Sequence, residues 1–308
     1  NGFDPAEPYR NQVVFYDEDN APHRYQEHRT EVTTRLALDM LDTMAGDSRP
    51  FCMVVGYQAP HYPEQPSPAY EALYQDISFP VDDEAAAVEP YTPTFNPRSP
   101  EDRALCPDFR RYGGRMAEYK RLYAAMVSQV DHGVGCILQA LKTRGLYDDT
   151  MIVFTSDHGD MQGSHGLTNK GVPYELSAGI PLIVRYPGGR RNCRSPLLVS
   201  GIDIFATAME LAGADNTGDG HSFLAYVQGR SDTPVNDFII SESLIGQQPW
   251  RMIRTGPYKL VVSYPDHQPL MLFQLENDPD ERRNLLAEGL SDPALVVRLT
   301  ARLQEAVG

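Results

Sequence analysis

Apolar residues recur at every fourth position in Val32, Leu36, Met40 and Met44, which places them along one side of an α-helix. After a short turn, "RPFCMVVGY" predicts a buried strand. A second helical stripe runs through Leu122, Met126, Val130, Val134, Leu138 and Leu141 and stops at "KTRG", where basic residues and a glycine suit a helix C-terminus. Then come a strand at "MIVFT", a strand at "IPLIVRYPGG" closed by Pro-Gly-Gly, a helix at "SGIDIFATAMELAG" and a fourth strand at "DFIISES". Helices alternating with apolar strands predict an α/β fold built on a large, mostly parallel sheet covered by helices on both faces.

The pattern changes near residue 245. "WRMIRTG", "YKLVVSY" and "LMLFQLEND" read as three short strands with only turns between them, and "PALVVRLTARLQEAV" as a closing amphipathic helix. Residues 1–244 are therefore expected to form an α/β domain and 245–308 an α+β subdomain with a small antiparallel sheet. Trp250 and Arg251 open that subdomain, where a packed indole and a substrate contact both fit. Residues 60–118 are rich in proline and tyrosine with little periodicity, the character of a long excursion that shapes a binding site. Tyr70, Tyr74, Tyr91 and Tyr112 fit there either as pocket walls or as packing anchors.

Composition narrows the function classes. With 41% hydrophobic and 22% charged residues the chain reads as globular. No apolar run approaches a membrane span, and "NGFDPAEPYRNQ" lacks the features of a signal peptide. A net charge of −15 disfavours nucleic acid, whose binding rests on Lys and Arg displacing counterions. Cys52, Cys106, Cys136 and Cys193 form no CxxC pair, so neither a zinc site nor a dense disulfide framework is indicated.

The candidate chemistry lies in "SDHGDMQGSHGLTNKG", directly after "MIVFT". In open α/β sheets ligands bind beyond the carboxyl ends of strands, where this segment falls. Asp157 offers a carboxylate for Ca²⁺ or Mg²⁺ and His158 an imidazole that serves as a ligand or an anion donor. A capping Asp beside a solvated His is the plain alternative. Lys170 can deliver a point charge to a phosphate- or sulfate-like group. His61, in "QAPHYP" after its own predicted strand, can donate to an anion or protonate a leaving group, or serve only as a turn histidine between prolines.

The strings "YDDTMIVFTSDHGDMQGSHGLTNKGVPYELSAGIPLIVRYPG", "PFCMVVGYQAPHYP", "YAAMVSQVDHGVGCILQAL" and "WRMIRTGPYKLVV…LFQLENDPDERRNL" resemble the sulfatase family of the alkaline phosphatase superfamily, in family order over nearly the whole chain. That resemblance implies hydrolysis of sulfate esters on a sulfated small molecule or sugar at a divalent metal, usually Ca²⁺. Asp157 and His158 match the family's late pair of metal ligands, Lys170 the lysine on the sulfate, and His61 the histidine near the leaving oxygen. His165, in "SHGL", falls in a recurrent family motif where a structural hydrogen bond and a chemical role both fit. Family members occupy periplasmic, secreted, lysosomal and cytoplasmic settings.

The sequence also departs from the family. A formylglycine nucleophile is marked by C/S-x-P-S-R, and "CMVVG", "CPDFR", "CILQA" and "CRSPL" do not fit it. The early Asp-Asp metal pair and the "GKWH" segment are absent too. All of these precede a "GFD"-like segment in the family, and this sequence begins "NGFD". The expectation is a sulfatase whose N-terminal part lies on a separate segment or chain, leaving these residues inert by themselves. A phosphonate or phosphate ester hydrolase of the same superfamily and a non-catalytic binding module are the alternatives.

Overall fold

Asp17 turns the chain back on itself. In the computed structural model, which describes residues 13–81, 115–244 and 248–307, its Oδ1 accepts from the backbone N–H of Asp19 at 3.0 Å and of Ala21 at 2.8 Å. This Asx turn folds β1 (Val13–Tyr16) antiparallel onto β2 (Pro22–Tyr25), a hairpin that the apolar pattern does not announce. The chain divides into two units, one holding described residues 13–81 and 115–150, the other the described residues from 151 onward.

In the first unit, α1 (Arg29–Ala45) is capped by His28, whose Nδ1 accepts from Thr30 N at 3.1 Å. The ring proton therefore sits on Nε2 and is donated to the Gln65 carbonyl at 2.8 Å. α1 packs on α3 (Met116–Thr143) where Gly133 lets the helices approach: a Cβ there would lie 2.4 Å from Thr34 Oγ1. The predicted stripe starts in the core, with Val32 fully buried, but Met40 is half exposed and Ala37 and Leu41 are buried instead. A spacing of four advances about 40° per step around a 3.6-residue helix, so such a series drifts off the buried face.

Two expectations change in this unit. Residues 51–57 form no strand, and Val54 is 91% exposed. An apolar run becomes a strand only when a neighbour takes its N–H and C=O groups, and none does so among the described residues. Tyr70 and Tyr74 lie on the short α2 (Pro68–Glu71) and the 3₁₀ turn Ala72–Tyr74. Their hydroxyls meet His132 Nδ1 and, at 2.7 Å, Ser128 Oγ of α3, so both anchor the excursion to that helix. Tyr91 and Tyr112 lie outside the described residues.

The second unit pairs β3 (Ile152–Thr155) antiparallel with β4 (Leu182–Arg185). The short α4 (Glu175–Ala178) lies between them in sequence, and α5 (Ile202–Leu211) and α6 (Leu224–Val227) follow. Then β5 (Ile239–Ser243), β6 (Trp250–Arg254), β7 (Tyr258–Ser263) and β8 (Pro269–Gln274) form one antiparallel sheet in that order. The segment "DFIISES" thus joins the small antiparallel sheet and not the β3–β4 pair. Its link to β6 is short enough for an antiparallel return, whereas a parallel neighbour needs a crossover of a dozen residues or more.

Period-two alternation gives this sheet two buried faces. Ile253, Leu260, Val262 and Leu272 pack against Leu295, Leu299 and Leu303 of α7 (Pro293–Val307). Trp250, Met252, Val261, Met271 and Phe273 face the other way and pack against Met161, Leu167, Val172 and Tyr174. The small sheet is therefore a filling between the C-terminal helix and the segment that follows β3.

Candidate functional site

That segment begins where β3 ends. Ser156 Oγ donates to the His158 carbonyl at 3.0 Å, and His158 N–H donates to Asp157 Oδ1 at 3.0 Å. Gly159 N–H reaches the Ser177 carbonyl at 2.8 Å. Only glycine fits this approach, since a Cβ would lie 2.0 Å from the Leu176 carbonyl oxygen.

Asp157 and His158 are brought together. His158 Nδ1 lies 2.8 Å from the Gly159 carbonyl, which can only accept, so Nδ1 carries the proton. In the neutral ring this leaves the Nε2 lone pair open, 3.5 Å from Asp157 Oδ2, on a carboxylate whose side chain is 85% exposed. A backbone carbonyl fixing the tautomer of a ligating histidine is the usual outer-shell arrangement. The pair fits part of a cation's donor set. Among the described residues no group of three or more His, Cys, Asp or Glu side chains could hold a metal ion, so two donors stand against the six to eight oxygens that Ca²⁺ takes.

The residues from Met161 to Gly171 form a tightly wound loop. Met161 N–H donates to Asn169 O at 2.9 Å and Gly163 N–H to Leu167 O at 2.8 Å. Gln162, His165 and Asn169 have left-handed backbone (φ 47°, 55° and 60°), conformations that cost non-glycine residues energy unless the surroundings enforce them. His165 is buried, stacks on Tyr174 with ring centroids 4.2 Å apart, and donates from Nε2 to the Asp280 carbonyl at 2.9 Å. Burial pulls its pKa below the ordinary histidine value, against the hydrogen bond to Asp280. Its observed contacts are structural. Lys170, partly buried, closes the loop.

His61 belongs to the first unit. It is exposed in the turn after Gln58, and its Nδ1 lies 2.7 Å from the Tyr62 carbonyl. Trp250 is a core residue, 2% exposed, with its indole N–H on the Gly171 carbonyl at 2.9 Å. Arg251 pairs with Glu242 and lies over the Tyr264 ring.

Sequence reasoning missed a buried charged cluster beside the loop. Lys259 on β7 is fully buried and donates to the Pro173 carbonyl at 2.7 Å and to Glu175 Oε1 at 3.0 Å, and it also contacts Glu281. Glu281 Oε2 accepts from Glu175 N–H at 2.6 Å, and Arg254 donates to Glu175 Oε2 at 2.5 Å. Burial pushes the Glu175 carboxyl up, but Lys259 and Arg254 outweigh it and hold its pKa below the ordinary glutamate value. At Glu281 burial prevails over Lys259 and the pKa is raised. A signal existed: in "YKLVVS" Lys259 takes an inward position of the alternation, on the same face as Val261.

Comparison with known proteins adds the family. The sulfatase profile matches residues 3–214, and the profile of the N-sulphoglucosamine sulphohydrolase C-terminal region matches 163–307. An arylsulfatase of Clostridium perfringens is 28% identical over 279 residues, 86% of this chain and 55% of that protein. The chain thus spans about half the length of such relatives. A solved sulfatase-like protein from Bacteroides fragilis has a TM-score of 0.79 at 22% identity, over 98% of this chain and 64% of that one. A protein solved with its substrate D-glucosamine-2-N,6-O-disulfate has a TM-score of 0.74 at 22% identity, over 96% of this chain and 73% of that one. These structural likenesses carry the fold alone, the alkaline phosphatase-like α/β architecture with a small C-terminal antiparallel sheet and helix.

Proposed function

Because the chain belongs to the sulfatase family, we propose that it supplies the late metal ligands, the anion-binding lysine and the leaving-group histidine of a sulfate ester hydrolase. The observation that carries this reading is the Asp157–His158 pair at the end of β3, where Nδ1 is committed to Gly159 and Nε2 and Oδ2 lie within 3.5 Å of each other. Asp157 and His158 would hold a divalent cation, Ca²⁺ or Mg²⁺, together with donors outside the described residues. Such a cation, when bound, supplies positive charge that polarises an ester oxygen.

Lys170 then binds the sulfate oxygens as a point charge. His61 keeps the role that family resemblance gives it, protonation of the departing alcohol. The substrate class is a sulfated small molecule or sugar; the neighbour solved with a glucosamine disulfate supports it.

The residues of this chain do not supply a formylglycine nucleophile. None of the four cysteines carries the family motif, and Cys52, Cys136 and Cys193 are free thiols. We place the nucleophile on a segment outside these 308 residues, in line with the 55% share of the Clostridium relative that the chain covers.

The test is turnover of the full-length protein on 4-nitrophenyl sulfate, 4-nitrophenyl phosphate and a phosphonate monoester under one set of conditions. The proposal expects the sulfate ester to be preferred by at least about tenfold in kcat/KM. Preference for the phosphonate or phosphate would replace it with the related hydrolase activity, and no turnover of any of them would leave a binding role.

A further inference from the structure

Resting on the reading of Lys170 as the anion-binding lysine, we infer that the small C-terminal sheet positions the Lys170 loop, with Trp250, Lys259 and Glu281 as its positioning residues. The loop cannot hold its own shape cheaply. Between Gln162 and Gly171 three non-glycine residues, Gln162, His165 and Asn169, have left-handed backbone, beside Gly163, Gly166 and Gly171, which take it without steric cost. Conformations of this kind persist where surrounding structure over-determines them.

The surroundings that do so come from the C-terminal sheet and the turn after it. Trp250 N–H holds the Gly171 carbonyl, one residue beyond Lys170, at 2.9 Å. Lys259 holds the Pro173 carbonyl at 2.7 Å, and Glu281 holds Glu175 N–H at 2.6 Å. The Asp280 carbonyl takes the His165 ring N–H at 2.9 Å. Four attachment points thus fall on residues 165, 171, 173 and 175, on both sides of Lys170. Met161, Leu167, Val172 and Tyr174 seat the same loop apolarly against Trp250, Met252 and Phe273.

The two kinds of contact divide the work. Apolar packing is non-directional and fixes how close the loop lies. Hydrogen bonds from buried groups fix its register, because a one-residue slip would take the Pro173 carbonyl from Lys259 and the Glu175 N–H from Glu281, and lost hydrogen bonds of buried groups are costly. The lysine at a core position of β7 is thereby explained: an aliphatic residue would pack there but could not hold the Pro173 carbonyl.

Trp250→Phe keeps an aromatic ring in the core and removes the hydrogen bond to Gly171. The experiment measures kcat/KM of the full-length protein on 4-nitrophenyl sulfate for Trp250→Phe in the wild-type and Lys170→Ala backgrounds, with amide hydrogen exchange over residues 165–175. Action through Lys170 predicts a loss of about tenfold in the wild-type background and none beyond the Lys170→Ala loss in the other. Exchange of the Gly171 to Glu175 amides should quicken while that of α7 does not change.

Equal losses in both backgrounds would overturn the inference, because a merely structural residue costs the same whether Lys170 is present or not. Unchanged exchange in Trp250→Phe and in Lys259→Met would overturn it independently of any activity. Full turnover in Lys170→Ala alone would instead remove the sulfate role of that lysine, leaving the exchange result to decide whether the sheet holds the loop.

Discussion

His158 shows how much one backbone carbonyl decides. Gly159 O takes the Nδ1 proton at 2.8 Å and so turns the other nitrogen into a potential ligand without any further side chain. His165, seven residues on, does the opposite: it spends its donor on Asp280 and is buried against Tyr174. Burial lowers its pKa in the folded state from 6.5. The unfolded chain therefore binds a proton first as pH falls, so the stability that His165 contributes is complete above about pH 6.5 and is lost below it, toward its depressed folded value. His165→Asn keeps a residue tolerant of left-handed backbone and removes the titration. Denaturant midpoints from pH 8 to pH 5 should show wild type losing more stability than the variant on acidification; parallel curves would show that His165 does not titrate on unfolding. The motif "SHGL" pointed to His165 by resemblance, but its role was not legible, because its partner is a carbonyl 115 residues away.

At the scale of elements, α3, α7 and the C-terminal strands were readable because each buries an apolar side with its own period, whereas α5 exposes Ile202, Phe205 and Leu211. α7 and β6 to β8 follow the sequence pattern closely. The hairpin β1–β2 was not readable, since its signal is the Asp17 turn and not alternation. Residues 51–57 failed as a strand for a related reason: apolar runs report a tendency to be buried and do not reveal a ladder partner. The charged cluster of β7 and its neighbours carries a prediction at this scale. Lys259→Met leaves Glu281 and Glu175 in the interior without their shared cation and should destabilise the folded chain by about 3–5 kcal/mol. Lys259→Met combined with Glu281→Gln removes the stranded charge on Glu281 and should recover part of that loss. Urea unfolding of both variants checks the order; equal stability of the two would show that the pair is not coupled.

Across the whole molecule, charge and burial point the same way. A net charge of −15 means that any anionic substrate must be bound by local positive groups against the general field, which gives a lysine fixed in a tight loop its value. Among the described residues no helix is long and apolar enough to cross a membrane. The α/β class was legible as alternating strands and helices, and the loop after β3 is where the sequence led us to expect the chemistry. The part that was not legible, the support of that loop by the C-terminal sheet, depends on contacts between Pro173, Glu175 and residues 84 to 106 positions away, distances over which a single sequence carries no pairing information.

The central claim, that the segment after β3 forms part of a metal-dependent sulfate ester site, is tested most directly by Asp157→Ala in the full-length protein. Asp157 is exposed and, among the described residues, its contacts are to neighbouring His158, so its removal should leave the unfolding midpoint unchanged. The predicted result is a fall in kcat/KM on an aryl sulfate of at least about a hundredfold, with the concentration of Ca²⁺ or Mg²⁺ needed for half-maximal rate shifted upward. Turnover and metal dependence within about twofold of wild type would contradict the claim.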